Sequence, residues 1–560
     1  MRLPPPKHLF SISILCALLG LAGCDEDDVS TVPENNTPAS LDENGCISFE
    51  DAGIREYALT MWDKNHDSCI DADEADAVTE IMKLAFKENA KIQNLNDLNN
   101  FKNLTVIAES AFTGCVNLKS VKLDHVTTIQ NNAFENCEAI ESVELSAVTK
   151  LNAEVFKNNG KLKSAKLPKV TIIGESAFED CLELVTLEAP AVTELEESAL
   201  ADTALKQINM PDLTTVGSSA FSHSALESIS LPKLTILNDG VFSGCTSLKS
   251  VDLPNITEIG NSAFSDCKAL ESISLPKLNK LWGAVFYGCT SLKSVDLPNI
   301  TEIGNWAFQD CKALTSVDFP KVTMIGPGAF QDCKALTSVV LPKVTEVPYL
   351  AFSGSGLTEI SLPEAVTIDD AFTGCTALKN VNLPKVTEIS SFAFANSGLV
   401  EIHLPELTTI ATEGYYNGGS FGGCTQLKTV DLPKLTNLPY HTFVGCSALT
   451  SVTLPSVTDV ANAVCGEGSK LESIALPKAK SINRASFIDC ESLKSLDLST
   501  SEVIEMAGGD YDYLVMPNEL SKDVALTLNE NKKTGGTSSP LVGEDGKWLD
   551  QTWKSINYVK

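Results

Sequence analysis

The sequence predicts a mainly β solenoid of about 18 turns built around a parallel sheet. First, a phenylalanine usually preceded by alanine returns about every 22 residues, and second, residues 244–261 recur identically as 288–305. A fixed period of this length is typical of a solenoid, whose turns bury their apolar faces only by stacking on their neighbours. The recurring positions are Phe112, Phe134, Phe156, Phe178, Leu200, Phe221, Phe242, Phe264, Phe286, Phe308, Phe330, Phe352, Phe372, Phe394, Phe421, Phe443, Val464 and Phe487.

Residues 1–23 are predicted to be a lipoprotein signal peptide. Arg2 and Lys7 precede an apolar run over residues 9–21, which is too short to span a bilayer. The run ends in Leu-Ala-Gly-Cys, which resembles the bacterial lipoprotein box, and the resemblance implies cleavage before Cys24 and attachment of lipid to it. The alternative is an ordinary signal peptide followed by an incidental cysteine.

Residues 24–45 are predicted to form an acidic, flexible tether. Residues 25–28 read Asp-Glu-Asp-Asp, which resembles the acidic export tag of some lipoproteins of Gram-negative anaerobes. That resemblance implies a lipid-anchored protein of the outer membrane, exposed at the cell surface. Residues 29–44 are polar, contain proline and are poor in apolar residues, as expected of a flexible tether.

Residues 46–95 are predicted to form a small helical cap that contains a calcium loop. Residues 63–74 resemble the loop of an EF-hand or dockerin, in which alternate oxygen atoms surround one Ca²⁺ ion of structural role. Ser68 stands where the loop normally has glycine, so the alternative is a cap that kept the fold and lost the ion. Helices are predicted over residues 49–62 and 71–88. The predicted metal ligands are Asp63, Asn65, Asp67, Cys69, Asp71 and Glu74.

Residues 96–500 are predicted to be the repeat array. Residues 250–253, Ser-Val-Asp-Leu, alternate polar and apolar side chains as a half-buried strand does, and Pro254 then ends the strand because it has no N–H. The segment 257–260, Thr-Glu-Ile-Gly, is also β-prone and predicts a second, shorter ladder. The remaining residues, 501–560, are expected to form a C-terminal cap, with a small glycan-binding module as the alternative.

The repeat Leu-x-Ser-Val-x-Leu-Pro-x-x-Thr-x-Ile-Gly-x-x-Ala-Phe-x-x-Cys resembles the BspA-like leucine-rich repeat of bacterial surface proteins. The resemblance covers about 400 residues. It implies a leucine-rich-repeat solenoid and an interaction role, since many family members are adhesive. It does not imply a particular partner, because partners differ between members.

Most cysteines occupy one column, three residues after the phenylalanine. This pattern predicts a buried ladder of free thiols, because the same column elsewhere holds short polar residues that a disulfide framework or metal site would not tolerate. Cys46 and Cys69 are the one pair considered for a disulfide, which the sequence leaves open. The column cysteines are Cys115, Cys137, Cys181, Cys245, Cys267, Cys289, Cys311, Cys333, Cys375, Cys424, Cys446 and Cys490.

Charge and motif content exclude two classes of function. The net charge of −31 and the lack of any basic run argue against a nucleic-acid partner. The six histidines are scattered, and no catalytic grouping or phosphate loop follows the repeat register, so no catalytic residues are predicted and the protein is not expected to be an enzyme.

Departures from the repeat are the predicted binding residues. Trp282, Tyr287 and Trp306 lie near the middle of the array, and Tyr415 and Tyr416 lie in an insertion that lengthens one turn. A merely tolerated insertion is the alternative for the last two.

Two main functions follow from these features. The first is a non-enzymatic, lipid-anchored surface protein that mediates adhesion or protein–protein interaction with a host or bacterial surface protein. The second is a polysaccharide-binding accessory component of a surface glycan-uptake system. A purely structural role in the cell envelope is the third alternative.

Overall fold

The computed structural model describes residues 42–411, 419–483, 486–487 and 490–498, together with strands at 505–507, 525–529, 547–548, 551–552 and 555–559. The predicted signal peptide, Cys24, Tyr415 and Tyr416 lie outside the described residues. Within this part of the chain, no helix is both long and apolar enough to cross a membrane.

The protein is a mainly β parallel solenoid of about 18 turns, as predicted. Each typical turn contributes one strand to each of two sheets. In the unit around Val251, residues Ser250–Asp252 form the strand of the first sheet and Glu258–Ile259 that of the second. The strand Glu258–Ile259 confirms the predicted second ladder, and Pro254 lies between the two strands.

The first sheet contains the longer strands, which pair in parallel with one another. Its strands are Ser120–Leu123, Ser142–Leu145, Ser164–Lys166, Thr186–Glu188, Ser228–Ser230, Ser250–Asp252, Ser272–Ser274, Ser294–Asp296, Ser316–Asp318, Ser338–Val340, Glu359–Ser361, Asn380–Asn382, Glu401–His403, Thr429–Asp431, Ser451–Thr453, Ser473–Ala475, Ser495–Leu498, Ala525–Asn529 and Ser555–Val559. The last two strands extend the parallel sheet into the predicted C-terminal cap. A short antiparallel pair, Lys547–Trp548 with Gln551–Thr552, lies in the same segment.

The second sheet contains two-residue strands, apart from two longer ones at its C-terminal end. Its strands are Glu80–Ile81, Val106–Ile107, Thr128–Ile129, Lys150–Leu151, Ile172–Ile173, Glu194–Leu195, Thr215–Val216, Ile236–Leu237, Glu258–Ile259, Lys280–Leu281, Glu302–Ile303, Met324–Ile325, Glu346–Val347, Thr367–Ile368, Glu388–Ile389, Thr409–Ile410, Asn437–Leu438, Asp459–Val460, Ser481–Asn483 and Glu505–Ala507. In these strands the second residue is typically buried and the first points outward.

The core is a stack of phenylalanine rings. Phe242 and Phe264 have ring centroids 5.3 Å apart and planes 15° apart, and Phe308 and Phe330 have centroids 5.3 Å apart and planes 5° apart. The Phe264 N–H also donates to the carbonyl oxygen of Val285 in the next turn at 3.0 Å. Each turn therefore buries its ring only against its neighbours, which accounts for the sequence period.

The N-terminal cap differs in part from the prediction. Helix α1, Ala52–Met61, lies within the predicted first helix, and Asp51 caps it by accepting hydrogen bonds from the next residues' N–H groups. Helix α2 is only Ala72–Asp76, much shorter than predicted, because Glu80–Ile81 pairs with Val106–Ile107 as a strand. A 3₁₀ helix, Asn96–Asn100, follows.

The repeat stacking starts earlier than the predicted boundary at residue 96. Phe86 stacks on Phe112 with ring centroids 4.8 Å apart, which extends the core one turn into the predicted cap. The Asp51 carboxylate also accepts from the Gln93 N–H at 2.7 Å, so α1 is fixed to this first turn.

The thiol ladder is largely confirmed, with one correction. Eleven of the twelve predicted thiols are free and buried. The exception is Cys490, which forms a disulfide with Cys465 one turn earlier, since the two Cα atoms lie 5.2 Å apart. Cys46 and Cys69, left open by the sequence, also form a disulfide. Each disulfide lies near one end of the array.

Candidate interaction surface

The exposed aromatic side chains of the described array lie together in four turns. Trp282 is 49% exposed, Trp306 49% and Tyr349 51%, and Met324 between them is 60% exposed. We call Trp282, Trp306, Met324 and Tyr349 the aromatic strip. A contiguous apolar patch on an otherwise polar surface marks an interaction site more often than scattered exposed side chains do.

Trp282 directly follows a strand of the second sheet, at a position where the neighbouring turns have glycine. A Cβ at Gly304 would lie 2.5 Å from the Trp282 carbonyl carbon, so the backbones of the two turns touch there. The Lys280 Nζ lies 4.3 Å from the centroid of the Trp282 ring. The indole face is therefore already used for a cation–π contact.

Trp306 lies in the next turn, in the left-handed backbone region at φ 55°. The same position is left-handed in other turns too, at Ala284 and Leu350 for example, so the conformation belongs to the repeat, although a bulky side chain adopts it less readily than asparagine or glycine does. Its indole lies over Gly328, where a Cβ would be 2.5 Å from the Trp306 Cδ1. Because Gly328 has no side chain, the Trp306 indole fits over it.

Tyr349 completes the strip two turns after Trp306. The Gly328 N–H donates to the Tyr349 carbonyl oxygen at 2.9 Å, which joins the turn beneath the Trp306 indole to the turn of Tyr349. Met324 stands in register with Glu302 and Lys280 in the outward column of the second sheet. Each of four successive turns therefore contributes one residue to the strip.

Sequence reasoning found two of the four strip residues. Tyr349 and Met324 were missed, although both replace polar or small residues in their columns: Asn305 and Pro327 for Tyr349, and Glu302 for Met324. A column-by-column comparison would have found them. Tyr287, also predicted, is half-buried and belongs to the phenylalanine-bearing loop, so it does not join the strip as an exposed ring.

Residues 282–349 carry charges of both signs, but the outward column of the second sheet holds unpaired carboxylates near the strip. Glu302 is paired with Lys280 at 2.5 Å. Glu258, Glu346 and Glu388 point outward from the second sheet, and none of them has an ion-pair partner within the described residues. The outward column thus places one exposed carboxylate in the turn before the aromatic strip, one in its last turn and one two turns beyond it.

The first sheet presents a different surface. Its outward side chains around mid-array are mainly serine and aspartate, and neighbours bond along the array, as where the Ser230 hydroxyl donates to the Asp252 carboxylate at 2.8 Å. The same bond joins Ser274 and Asp296 at 2.7 Å. This polar face lacks the aromatic residues that dominate binding energy at protein interfaces.

The predicted calcium ligands lie together in one loop between α1 and α2. Ser68 adopts a left-handed conformation at φ 67°, as glycine would, and its N–H donates to the Asp63 carboxylate at 2.9 Å. The Asp67 carboxylate accepts from the Cys69 N–H at 2.9 Å, and Glu74 accepts from the Lys64 N–H at 2.7 Å.

These side chains bond to loop amides and do not converge on a common centre. Across the described part of the chain, no group of three or more His, Cys, Asp or Glu residues is arranged as a metal site. The loop has the oxygen donors that Ca²⁺ prefers. Binding would require the Asp67 and Glu74 carboxylates to turn away from the backbone.

Comparison with known families decides the assignment of the fold. A model of the BspA type leucine-rich repeat region matches six times, over residues 79–206, 171–284, 214–324, 268–370, 301–420 and 414–506. The chain belongs to the BspA-type leucine-rich repeat family. Leucine-rich repeat proteins generally bind other proteins, and the fold is typical of protein–protein interaction or adhesion.

Similar solved structures include three leucine-rich proteins of bacteria. One from Bacteroides ovatus is 20% identical, with 82% of this chain and 88% of that chain covered and a TM-score of 0.26. One from Eubacterium ventriosum is 21% identical, with 58% and 82% covered and a TM-score of 0.32. A leucine rich cell surface protein from Faecalibacterium prausnitzii is 19% identical, with 66% and 88% covered and a TM-score of 0.28. No curated protein matches the chain.

Proposed function

We propose that this chain is a non-enzymatic, lipid-anchored protein of the outer membrane that binds a host or bacterial surface protein through its repeat surface. The observation that carries the proposal is the concentration of exposed aromatic side chains in four turns of a regular, polar solenoid. Tryptophan and tyrosine supply most of the binding energy at protein interfaces, and the flanking polar turns would form the rim.

Lipid attachment at Cys24 and surface exposure are parts of the same proposal, supported by the lipoprotein box and the acidic residues that follow it. Labelling cells with radioactive palmitate tests the anchor. We expect label in the chain and its loss in a Cys24→Ala variant, together with protease accessibility of the protein on intact cells. Release of an unlabelled, soluble protein would contradict the anchor.

Binding to surface proteins is tested with the purified, lipid-free chain on a panel of host-matrix and bacterial surface proteins, with a glycan array in parallel. We expect binding to at least one protein, weakened at least about tenfold in a Trp282→Ala, Trp306→Asn, Tyr349→Ala variant. A matched control changes Ser250, Ser272 and Ser294 of the first sheet to alanine.

The alternative, a polysaccharide-binding component, uses the same aromatic side chains, because ring faces also stack on sugars. Glycan binding that disappears in the strip variant, with no protein bound, would favour this alternative and contradict protein binding. Loss of binding in the serine control alone would move the site to the first sheet.

We also propose that the loop at residues 63–74 binds a structural Ca²⁺ ion. Support comes from its oxygen donors and from the left-handed turn at Ser68. Calorimetric titration and thermal unfolding with calcium or a chelator test this. We expect binding heat, a higher Tm with calcium and tighter binding in Ser68→Gly. An absence of heat at millimolar calcium, with an unchanged Tm, would exclude the ion.

A further inference from the structure

We propose that the aromatic strip binds a basic segment of its protein partner, whose lysine or arginine side chains lie over the exposed rings. This inference rests on the proposed function and specifies the chemistry of the partner. Three observations carry it: one exposed strip residue in each of four successive turns, a cation already placed over one of the rings, and unpaired carboxylates in the outward column of the same sheet.

The strip is long enough for a short extended segment. Trp282 and Tyr349 are three turns apart, and at the ordinary spacing of neighbouring strands this is roughly 14 Å. Each of the four turns contributes one strip residue. The turns of Trp282 and Trp306 touch at Gly304, and the Trp306 indole lies over Gly328 of the next turn. A segment of about four extended residues would cover it.

One ring of the strip already has a cation over its face. The Lys280 ammonium lies 4.3 Å from the Trp282 ring centroid while it is paired with Glu302. The rings of Trp306 and Tyr349 have no such cation over them within the described residues. An incoming lysine or arginine would repeat at these rings the contact that Lys280 makes at Trp282.

The unpaired carboxylates of the outward column favour the same partner. Glu258, Glu346 and Glu388 are exposed and without ion-pair partners in the described structure, and the whole chain carries a net charge of −31. An acidic partner would be repelled, and a neutral sugar would leave these carboxylates unused. A basic segment satisfies both the rings and the carboxylates.

The test uses the full lipid-free chain and synthetic peptides as probes. One peptide alternates lysine or arginine with leucine, a second replaces every basic residue with glutamate, and a neutral oligosaccharide is the third probe. We expect the basic peptide to bind at least tenfold more tightly than the acidic one. The affinity of the basic peptide should fall as the salt concentration is raised from about 50 to about 300 mM, because the added salt screens the attraction between exposed charges.

Variants separate the strip from general attraction to an acidic protein. Trp306→Asn, and separately the triple change Glu258→Gln, Glu346→Gln, Glu388→Gln, should each weaken the basic peptide at least fivefold. Glu194→Gln, in the same outward column but far from the strip, is the matched control and should leave affinity unchanged.

Each other outcome overturns the inference in a distinguishable way. Basic-peptide binding that both variants leave intact would mean nonspecific charge attraction. Strip-dependent binding of the oligosaccharide alone would replace the partner chemistry and the proposed function together. A surface protein bound through Trp306 without any effect of salt or of the glutamate changes would overturn the basic partner and leave the proposed function standing.

Discussion

At the scale of single residues, the cysteine column shows how one side chain serves many turns. The Cys267 thiol donates to the Phe242 carbonyl oxygen at 3.1 Å, and Cys289 and Cys311 make the same bond to their own neighbours. Burial raises the pKa of the Cys181 thiol to about 12 and that of Cys245 to about 11. These thiols are therefore neutral, buried donors, because reactivity belongs to the thiolate.

The raised thiol pKa values predict a loss of stability in alkali. In the unfolded chain each thiol has a pKa near 9 and loses its proton above that pH, whereas the folded chain keeps it. The unfolded state then binds fewer protons, so the free energy of unfolding falls as pH rises from about 9 towards the folded pKa values. At pH 10 the loss is between about 1 and 2 kcal/mol for each thiol whose pKa is raised, which excludes Cys115, whose pKa is lowered by its hydrogen bond with Cys137.

Urea denaturation at pH 7 and pH 10 measures this loss. A variant with Cys267, Cys289 and Cys311 changed to serine, which this column already holds at Ser224 and Ser355, should lose about 4 kcal/mol less between the two pH values. Equal losses in the two proteins would contradict the account, because the lysines titrate equally in both.

Asn159 occupies the same column and makes a second prediction. Its side-chain nitrogen Nδ2 donates to the Phe134 carbonyl oxygen at 3.0 Å, but its side-chain oxygen Oδ1 is buried without a hydrogen-bond partner. Asn159→Cys keeps the donor and removes the unpaired acceptor. We expect the free energy of unfolding to rise by about 1 kcal/mol. Ser224→Cys, where the native hydroxyl is already paired with Cys245, should change it by less than about 0.5 kcal/mol.

At the scale of one turn, Trp306 combines backbone strain with exposure. It occupies the left-handed position at φ 55°, where Asn132 and Ser262 stand in other turns. Asparagine tolerates this conformation better than tryptophan does. Leu350 also occupies this position, so it is the exposure of the Trp306 indole, more than the backbone strain, that favours a role in binding.

The corresponding prediction is a trade between stability and binding. Trp306→Asn should leave the free energy of unfolding unchanged or raise it by up to about 1 kcal/mol, while partner binding falls. Ala284→Asn, in the same column one turn earlier, is the control and should not affect binding. Thermal unfolding and surface plasmon resonance on the same samples would check this. A large loss of stability in Trp306→Asn would instead assign Trp306 a packing role.

At the scale of the whole molecule, the middle of the first sheet, residues 228–431, is grouped two turns at a time, whereas four strands pair continuously before it and five after it. Ser228–Ser230 pairs with Ser250–Asp252, and Ser272–Ser274 with Ser294–Asp296, but the two pairs are not joined by ladder pairing. The grouping has the same two-turn period as the 44-residue duplication in the sequence. The phenylalanine stack and the thiol bonds continue across the gaps, so they hold the groups together.

This grouping predicts an alternating pattern of amide exchange. The Leu231 and Leu275 N–H groups donate to the backbone carbonyl oxygens of Asp252 and Asp296 at 3.0 Å. The described structure has no equivalent bond from the Leu253 N–H to the next turn. All these leucines are buried. Amide exchange at Leu253 should therefore be faster than at Leu231 and Leu275, on the order of tenfold. Equal protection at the three amides would mean a continuous sheet.

Much of this architecture could be predicted from the sequence, because a repeated side chain must meet its own copy in the next turn. That reasoning gave the phenylalanine stack, the two ladders and eleven of twelve thiols. It failed where the repeat ends: Cys465 lies outside the column, and residues 80–81 join the sheet although their neighbourhood favoured a helix. Tyr349 was missed because single rings were sought without comparing columns.

The claim on which the account depends is that partners bind at the aromatic strip. Hydrogen–deuterium exchange of the full lipid-free chain, with and without a protein identified by the binding panel, tests it most directly. We expect partner-dependent protection confined to peptides from residues 280–350 and centred on Trp306. Protection spread along the serine face of the first sheet, with residues 280–350 unchanged, would contradict it.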